Sequence, residues 1–204
     1  MALTQRDAAR SRSTILDAAE EAFARSGYDG ANISEICEAA GVSRGLPSYL
    51  FGTKELLYRA VVERAAQRLR ERTIEPLRRQ SRFSSIDTTI ELFVDTYVDF
   101  LASAPSIVRL LQWEMLRDEH HTGPFAPTSQ LFAEVLAIFN DALKKRSRDA
   151  TIGGSEVLAS AVALCFFPFM ARAKGFSIAG ADRNTLRQHK QRITRLLLRG
   201  VRSL

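Results

Sequence analysis

The chain is poor in the residues that build staples, metal sites and membrane spans. Among its 204 residues are two cysteines, three histidines, one tryptophan and six prolines. Cys37 and Cys165 lie far apart on apolar helical faces. They read as reduced core thiols of a cytoplasmic protein, not as a disulfide framework. His120 and His121 are adjacent, but no further ligand stands nearby at a suitable spacing, so no metal site is expected. The longest nearly uncharged run is "VLASAVALCFFPFMA", residues 157–171. It is too short to cross a bilayer and carries a proline, so no membrane partner is expected. No basic segment leading into an apolar one opens the chain, which argues against secretion. No Gly-rich phosphate loop and no Ser/His/Asp arrangement stands out, so neither an enzyme nor a cofactor is expected.

What is present is enough apolar material for a real core: 46% of residues are hydrophobic and 25% charged. The net charge is +6, but it is unevenly placed. Residues 1–60 hold seven Lys/Arg against eight Asp/Glu, whereas residues 61–82 hold seven Arg against three Glu. A basic total therefore says little about nucleic acid; only a one-sided arrangement of the charges in the N-terminal segment would suit it.

The dominant period is helical. In "SRSTILDAAEEAFARS", residues 11–26, Ile15, Leu16, Ala19, Ala22 and Phe23 share a face, and the helix begins as early as Gln5. Gly27 stops it. Asn32 offers an N-cap for a short helix from Ile33 to Ala40, broken by Gly41. Ser43 is read as the cap of a third short helix, roughly 44–50, and Thr53 as the cap of a long fourth one from Lys54 to about Arg79. Five further helices are expected at about 86–103, 106–119, 127–148, 155–173 and 183–203. The expected fold class is all-α: a three-helix N-terminal domain (1–53) joined to a six-helix C-terminal domain (54–204).

A helix, a tight turn at Gly41 and a second short helix form a helix-turn-helix pattern. Gly41 permits a left-handed turn, and small Ala40 lets the helices cross closely. The second helix of such a pair can present its N-terminal residues to base edges in a major groove. The stretch "YDGANISEICEAAGVSRGLPSYLFGTKELLYRAV", residues 28–62, resembles the N-terminal domain of the TetR/AcrR family of bacterial transcriptional regulators. The preceding "ILDAAEEAFARSGYDG" resembles that family's first helix. The C-terminal two thirds resembles it only in helical layout and in the last helix, "ITRLLLRGVRSL".

The resemblance implies residue roles. Asn32 caps the second helix and touches a phosphate. Ser43, Arg44 and Gly45 open the recognition helix, and Tyr49 takes a backbone-contacting position. Lys54 points at a phosphate, and Arg6, Arg10 and Arg12 follow the backbone as an N-terminal arm. Base reading falls on Arg44, Leu46 and Ser48. The sequence departs from the family where Thr-Leu-Tyr is usual and Leu46-Pro47-Ser48 stands instead. With Ser43 as cap, Pro47 is the fourth helical residue, and its missing N–H predicts a tightened or delayed first turn.

The C-terminal part collects aromatics. A ligand cavity in this fold would draw on Phe93, Tyr97, Phe100, Trp113, Phe139, Phe166 and Phe169, with Arg109 and Arg117 to orient a polar group. Pro168 should kink the eighth helix. Leu158 and Val162, with Leu186, Ile193, Leu197 and Val201 of the last helix, are read as a four-helix interface of a homodimer. The expected function is a repressor released from a palindromic double-stranded operator by an apolar or aromatic small molecule. The alternative is a DNA-binding regulator without an effector.

Overall fold

A computed structural model describes residues 5–81, 85–115, 126–146, 153–171 and 177–202. Among these residues there is no strand. The elements are α1 (Gln5–Gly30), α2 (Ile33–Ala40), α3 (Leu46–Phe51), α4 (Lys54–Leu69), a π-helical turn (Arg70–Ile74), α5 (Glu75–Ser81), α6 (Ile86–Ser103), α7 (Pro105–Met115), α8 (Ala126–Lys144), α9 (Gly154–Met170) and α10 (Arg183–Arg202). The chain is helical without a break from α4 through the π turn to α5. That run is the single long fourth helix expected from the sequence.

The chain divides into two compact units. The first holds the residues up to Ala65 and those from Arg109 onward in α7; the second holds the rest. The first unit thus includes the opening turns of α4. The opening turns of α4 bury Leu57, Tyr58, Val61 and Val62 with Ile15, Ala19 and Phe23 of α1 and Ile36 of α2. Leu110 of α7 joins the same cluster at 3% exposure. Burial of this size, about 25 cal/mol per Å² of apolar surface, ties those turns to the N-terminal helices.

Gly27 has φ 70° and ψ −178°, so it interrupts α1 as expected, but helix resumes after it to Gly30. The kink matters to its neighbour. A Cβ at Gly27 would lie 3.1 Å from the Trp113 ring, and the Trp113 Nε1 donates to the Ala24 carbonyl at 3.1 Å.

In the second unit α6 is the central helix. It buries Ile86, Ile90, Phe93, Val94, Tyr97, Val98, Phe100 and Leu101. Its outer ridge is acidic and pairs with basic α10. Lys190 Nζ sits 2.7 Å from Asp95 and 2.6 Å from Asp99, and Arg202 lies 2.7 Å from Asp87. Burial lowers the Lys190 pKa, but hydrogen bonds to the two carboxylates outweigh it and raise it overall. The π turn is pinned beside α8, where Arg70 and Arg78 both reach Glu134, at 2.7 and 2.6 Å. Pro168 lies in the last turn of α9, which ends at Met170. The proline thus stands where the helix is closing, and the Pro168 carbonyl, in that last turn, accepts from the Ile178 N–H at 3.0 Å.

Candidate nucleic-acid interface

The site is built from two short helices and the turn between them. Asn32 caps α2, its side-chain oxygen accepting from Ser34 N–H at 2.8 Å. Gly41 closes α2 in a left-handed conformation, φ 65° and ψ 35°. Gly41 N–H then bonds the Glu38 carbonyl at 3.1 Å, and Val42 N–H bonds the Cys37 carbonyl at 3.0 Å. This pair of bonds is the Schellman arrangement, which satisfies two carbonyls that the helix end would otherwise orphan. The Cys37 thiol points at the Arg44 carbonyl, 3.9 Å away, across the turn.

The third helix starts later than the sequence predicts. Ser43 is not its cap. Leu46 N–H bonds the Ser43 carbonyl in a tight turn at 3.1 Å, and Gly45 takes the N-cap position. The first helical bond runs from Tyr49 N–H to the Gly45 carbonyl at 3.0 Å. The physical reason is Pro47. In a helix starting at residue 44, proline would delete the first intrahelical bond. In one starting at Leu46 it occupies the second position, where an N–H has no helical partner anyway.

This register sorts the side chains. Pro47 and Phe51 are buried, and Leu46 and Leu50 are half-buried beneath the same core. Ser43, Arg44, Gly45 and Ser48 are exposed, and Tyr49 is 79% exposed. Arg44 makes no ion pair among the described residues. The exposed side of the turn and of α3 thus carries one free guanidinium, two hydroxyls and an outward phenol ring. These are hydrogen-bonding and stacking groups of the kind that meet base edges and phosphates.

Lys54, at the start of α4, is half-buried. Its ammonium donates to the Asp29 carbonyl at 3.3 Å and lies 4.8 Å from the Tyr28 ring centroid. Thr53 caps α4, its Oγ1 accepting from Leu56 N–H at 3.2 Å. With one carbonyl engaged, the ammonium keeps donors for an external anion.

Residues 15–61 match the sequence profile of bacterial regulatory proteins of the tetR family. That stretch, about a quarter of the chain, is thus similar to the DNA-binding part of the tetR family. It is 42% identical over 65 residues to the HTH-type transcriptional repressor AcnR of Corynebacterium efficiens, a stretch covering 32% of this chain and 35% of that repressor. The chain thus matches about a third of the length of that relative. It is 25% identical over 188 residues to the HTH-type transcriptional repressor SCO4008 of Streptomyces coelicolor, covering 90% of this chain and 91% of the other. Its fold is that of AibR, solved in complex with isovaleryl coenzyme A and operator DNA, with a TM-score of 0.70 at 15% identity over 91% of this chain and 96% of that one.

The remaining TetR-type expectations concern the C-terminal part. Phe93, Tyr97 and Phe139 come together there: Phe93 stacks on Tyr97 at 5.2 Å and meets Phe139 edge-on at 5.5 Å. Phe100, Phe166 and Phe169 are buried in the same unit. Burial, with a smaller effect of Cys165, holds the Tyr97 phenol far above its ordinary pKa. Arg109 and Trp113 are not with them. They belong to the first unit, where Arg109 lies 3.6 Å from Glu21 and Trp113 bonds Ala24. Arg117 lies outside the described residues. The second unit has surface clefts of about 770 and 480 Å³. The larger is lined by α6 and α10, from Glu91 and Asp95 to Arg195 and Arg199, and none of the expected aromatics lines either.

Four of the six residues expected at a dimer interface are already buried within one chain: Leu158, Ile193, Leu197 and Val201. Val162 and Leu186 are half-buried. The apolar groups left exposed on the same helices are Leu164 (37%), Phe167 (52%) and Leu196 (59%). Sequence periodicity finds an apolar stripe but cannot say whether its own chain or a partner covers it.

Proposed function

We propose that this chain is a homodimeric, sequence-specific DNA-binding regulator of the TetR family, and a repressor. The observation that carries the reading is the sorting of α3. Pro47 and Phe51 anchor the helix in the core, while Arg44 of the preceding turn and Ser48 and Tyr49 of the helix itself are exposed. In this reading Arg44 meets a guanine, Leu46 a thymine methyl, and Ser43, Gly45, Tyr49, Asn32 and Lys54 hold the backbone. The functional division follows: a DNA-binding N-terminal domain, and a C-terminal domain for effector and dimer contacts.

Two copies related by a two-fold axis would read the half-sites of a palindrome. Leu164 and Phe167 of α9 and Leu196 of α10 are the apolar groups such a pairing would cover. An effector acts by population shift, favouring the arrangement in which the two recognition helices no longer fit their half-sites. The ligand of the fold neighbour AibR supports a small-molecule effector. The second reading, a regulator without one, is favoured by the close packing of Phe93, Tyr97 and Phe139.

The test is direct. Purified protein is offered its own upstream region and random duplex of equal length, with and without metabolite pools. A preference for the upstream duplex that falls steeply with salt supports the regulator. Equal affinity for both removes it.

A further inference from the structure

The recognition helix is short of internal support. It has six residues, no side-chain N-cap and a proline in its first turn. Its backbone bonds run from Tyr49 to Gly45 at one end and from Gly52 to Ser48 at the other, at 3.0 and 2.9 Å. The carbonyls of its last turn point past the helix end, where only an outside donor can reach them. One donor does. Arg12 Nη1 of α1 donates to the Leu50 carbonyl at 3.0 Å, 38 residues away in sequence. The same guanidinium lies 4.3 Å from the centroid of the Phe51 ring.

We infer that Arg12 is a positioning residue: a C-cap, supplied by another helix, that sets the pose of the recognition helix. The geometry follows from the sequence. Arg12 stands three residues before Ile15, so it continues the buried α1 stripe of Ile15, Ala19 and Phe23 one turn towards solvent. There its guanidinium lies over the Phe51 ring. A planar guanidinium can lie flat on a ring and donate in its own plane at once; an ammonium has no such plane and holds the pair in a looser geometry. A cation beside the last turn of a helix also opposes no part of its dipole. Arg12 is thereby engaged by protein, not held out as part of a phosphate-following arm. This rests on the reading that α3 enters the groove, but the cap itself can be measured without DNA.

Full-length R12Q and R12K are compared with wild type in two readouts. The first is amide hydrogen exchange at Tyr49, Leu50, Phe51 and Gly52 without DNA. Losing a support worth about one hydrogen bond should speed exchange about tenfold in R12Q, and measurably in R12K, with α2 unchanged. The second is affinity for a duplex that wild type selects from a random pool, across a salt series. R12Q should bind about tenfold more weakly with an unchanged salt slope. Loss of a phosphate contact would instead reduce that slope by about 0.9. Wild-type exchange at α3 in both variants overturns the proposal, and so does a reduced salt slope. If R12Q does not fold, R12K decides, because it keeps the charge and loses the fork. If wild type selects no duplex, the DNA reading fails while the exchange result still judges the cap.

Discussion

Pro47 shows how one residue relocates an element. Its missing N–H is harmless at the second helical position and costly at the fourth, so the helix start moves from residue 44 to Leu46. Pro47→Ala should therefore change stability by less than about 1 kcal/mol, against the ~3 kcal/mol of an interior proline; urea unfolding measures this. Gly27→Ala should behave oppositely. It places a Cβ at φ 70°, 3.1 Å from the Trp113 ring, and a loss of about 1–3 kcal/mol is expected. Asn32, Gly41 and Thr53 were legible in the sequence because caps and left-handed turns are set by local chemistry. Arg12 and Trp113 were not. Their partners, Leu50 and Ala24, are 38 and 89 residues away, and no local pattern encodes that.

At the scale of elements, α4 is held to α1 by one forked cation. Arg64 donates to Asp17 at 2.6 Å, to Glu20 at 2.8 Å and to the Leu16 carbonyl at 3.0 Å. Glu20 is only 5% exposed. Arg64→Met takes the guanidinium from that carboxylate and should cost about 2–3 kcal/mol, less than a fully buried pair because Arg64 and Asp17 retain water. Arg64→Met with Glu20→Leu should recover most of the loss; an equal loss in the double variant would contradict the account. In the second unit, α8 and α9 touch at Gly154, where a Cβ would meet the Asn140 backbone nitrogen at 3.1 Å. That close approach is invisible to periodicity, which reads Gly153 and Gly154 only as a joint. On α10, burial and then the charge of Arg192 lower the His189 pKa. The unfolded histidine takes a proton near pH 6.5, which the folded one resists. Stability should therefore fall as pH drops through about 6.5, and His189→Asn should flatten that slope.

For the whole molecule, the helix order and fold class were readable because amphipathic period and turn residues repeat along the chain. The division into units was less so: α4 and α7 each contribute residues to both, and a boundary inside a helix leaves no Gly/Pro signal. The dimer face was the least legible, because an apolar stripe can be covered by its own chain or by a partner. Phe167→Glu or Leu196→Glu should yield monomers by sedimentation, whereas persistent dimers would place the interface elsewhere. The central claim is that the free side of α3 reads DNA. Its most direct measurement is competition binding of wild type, Arg44→Ala and Lys54→Ala across single-base variants of a selected duplex. Arg44→Ala should lose discrimination at one base pair, worth about 1–3 kcal/mol, while Lys54→Ala weakens all duplexes alike. Unchanged base preference in Arg44→Ala, or wild type that discriminates among no duplexes, would contradict the account.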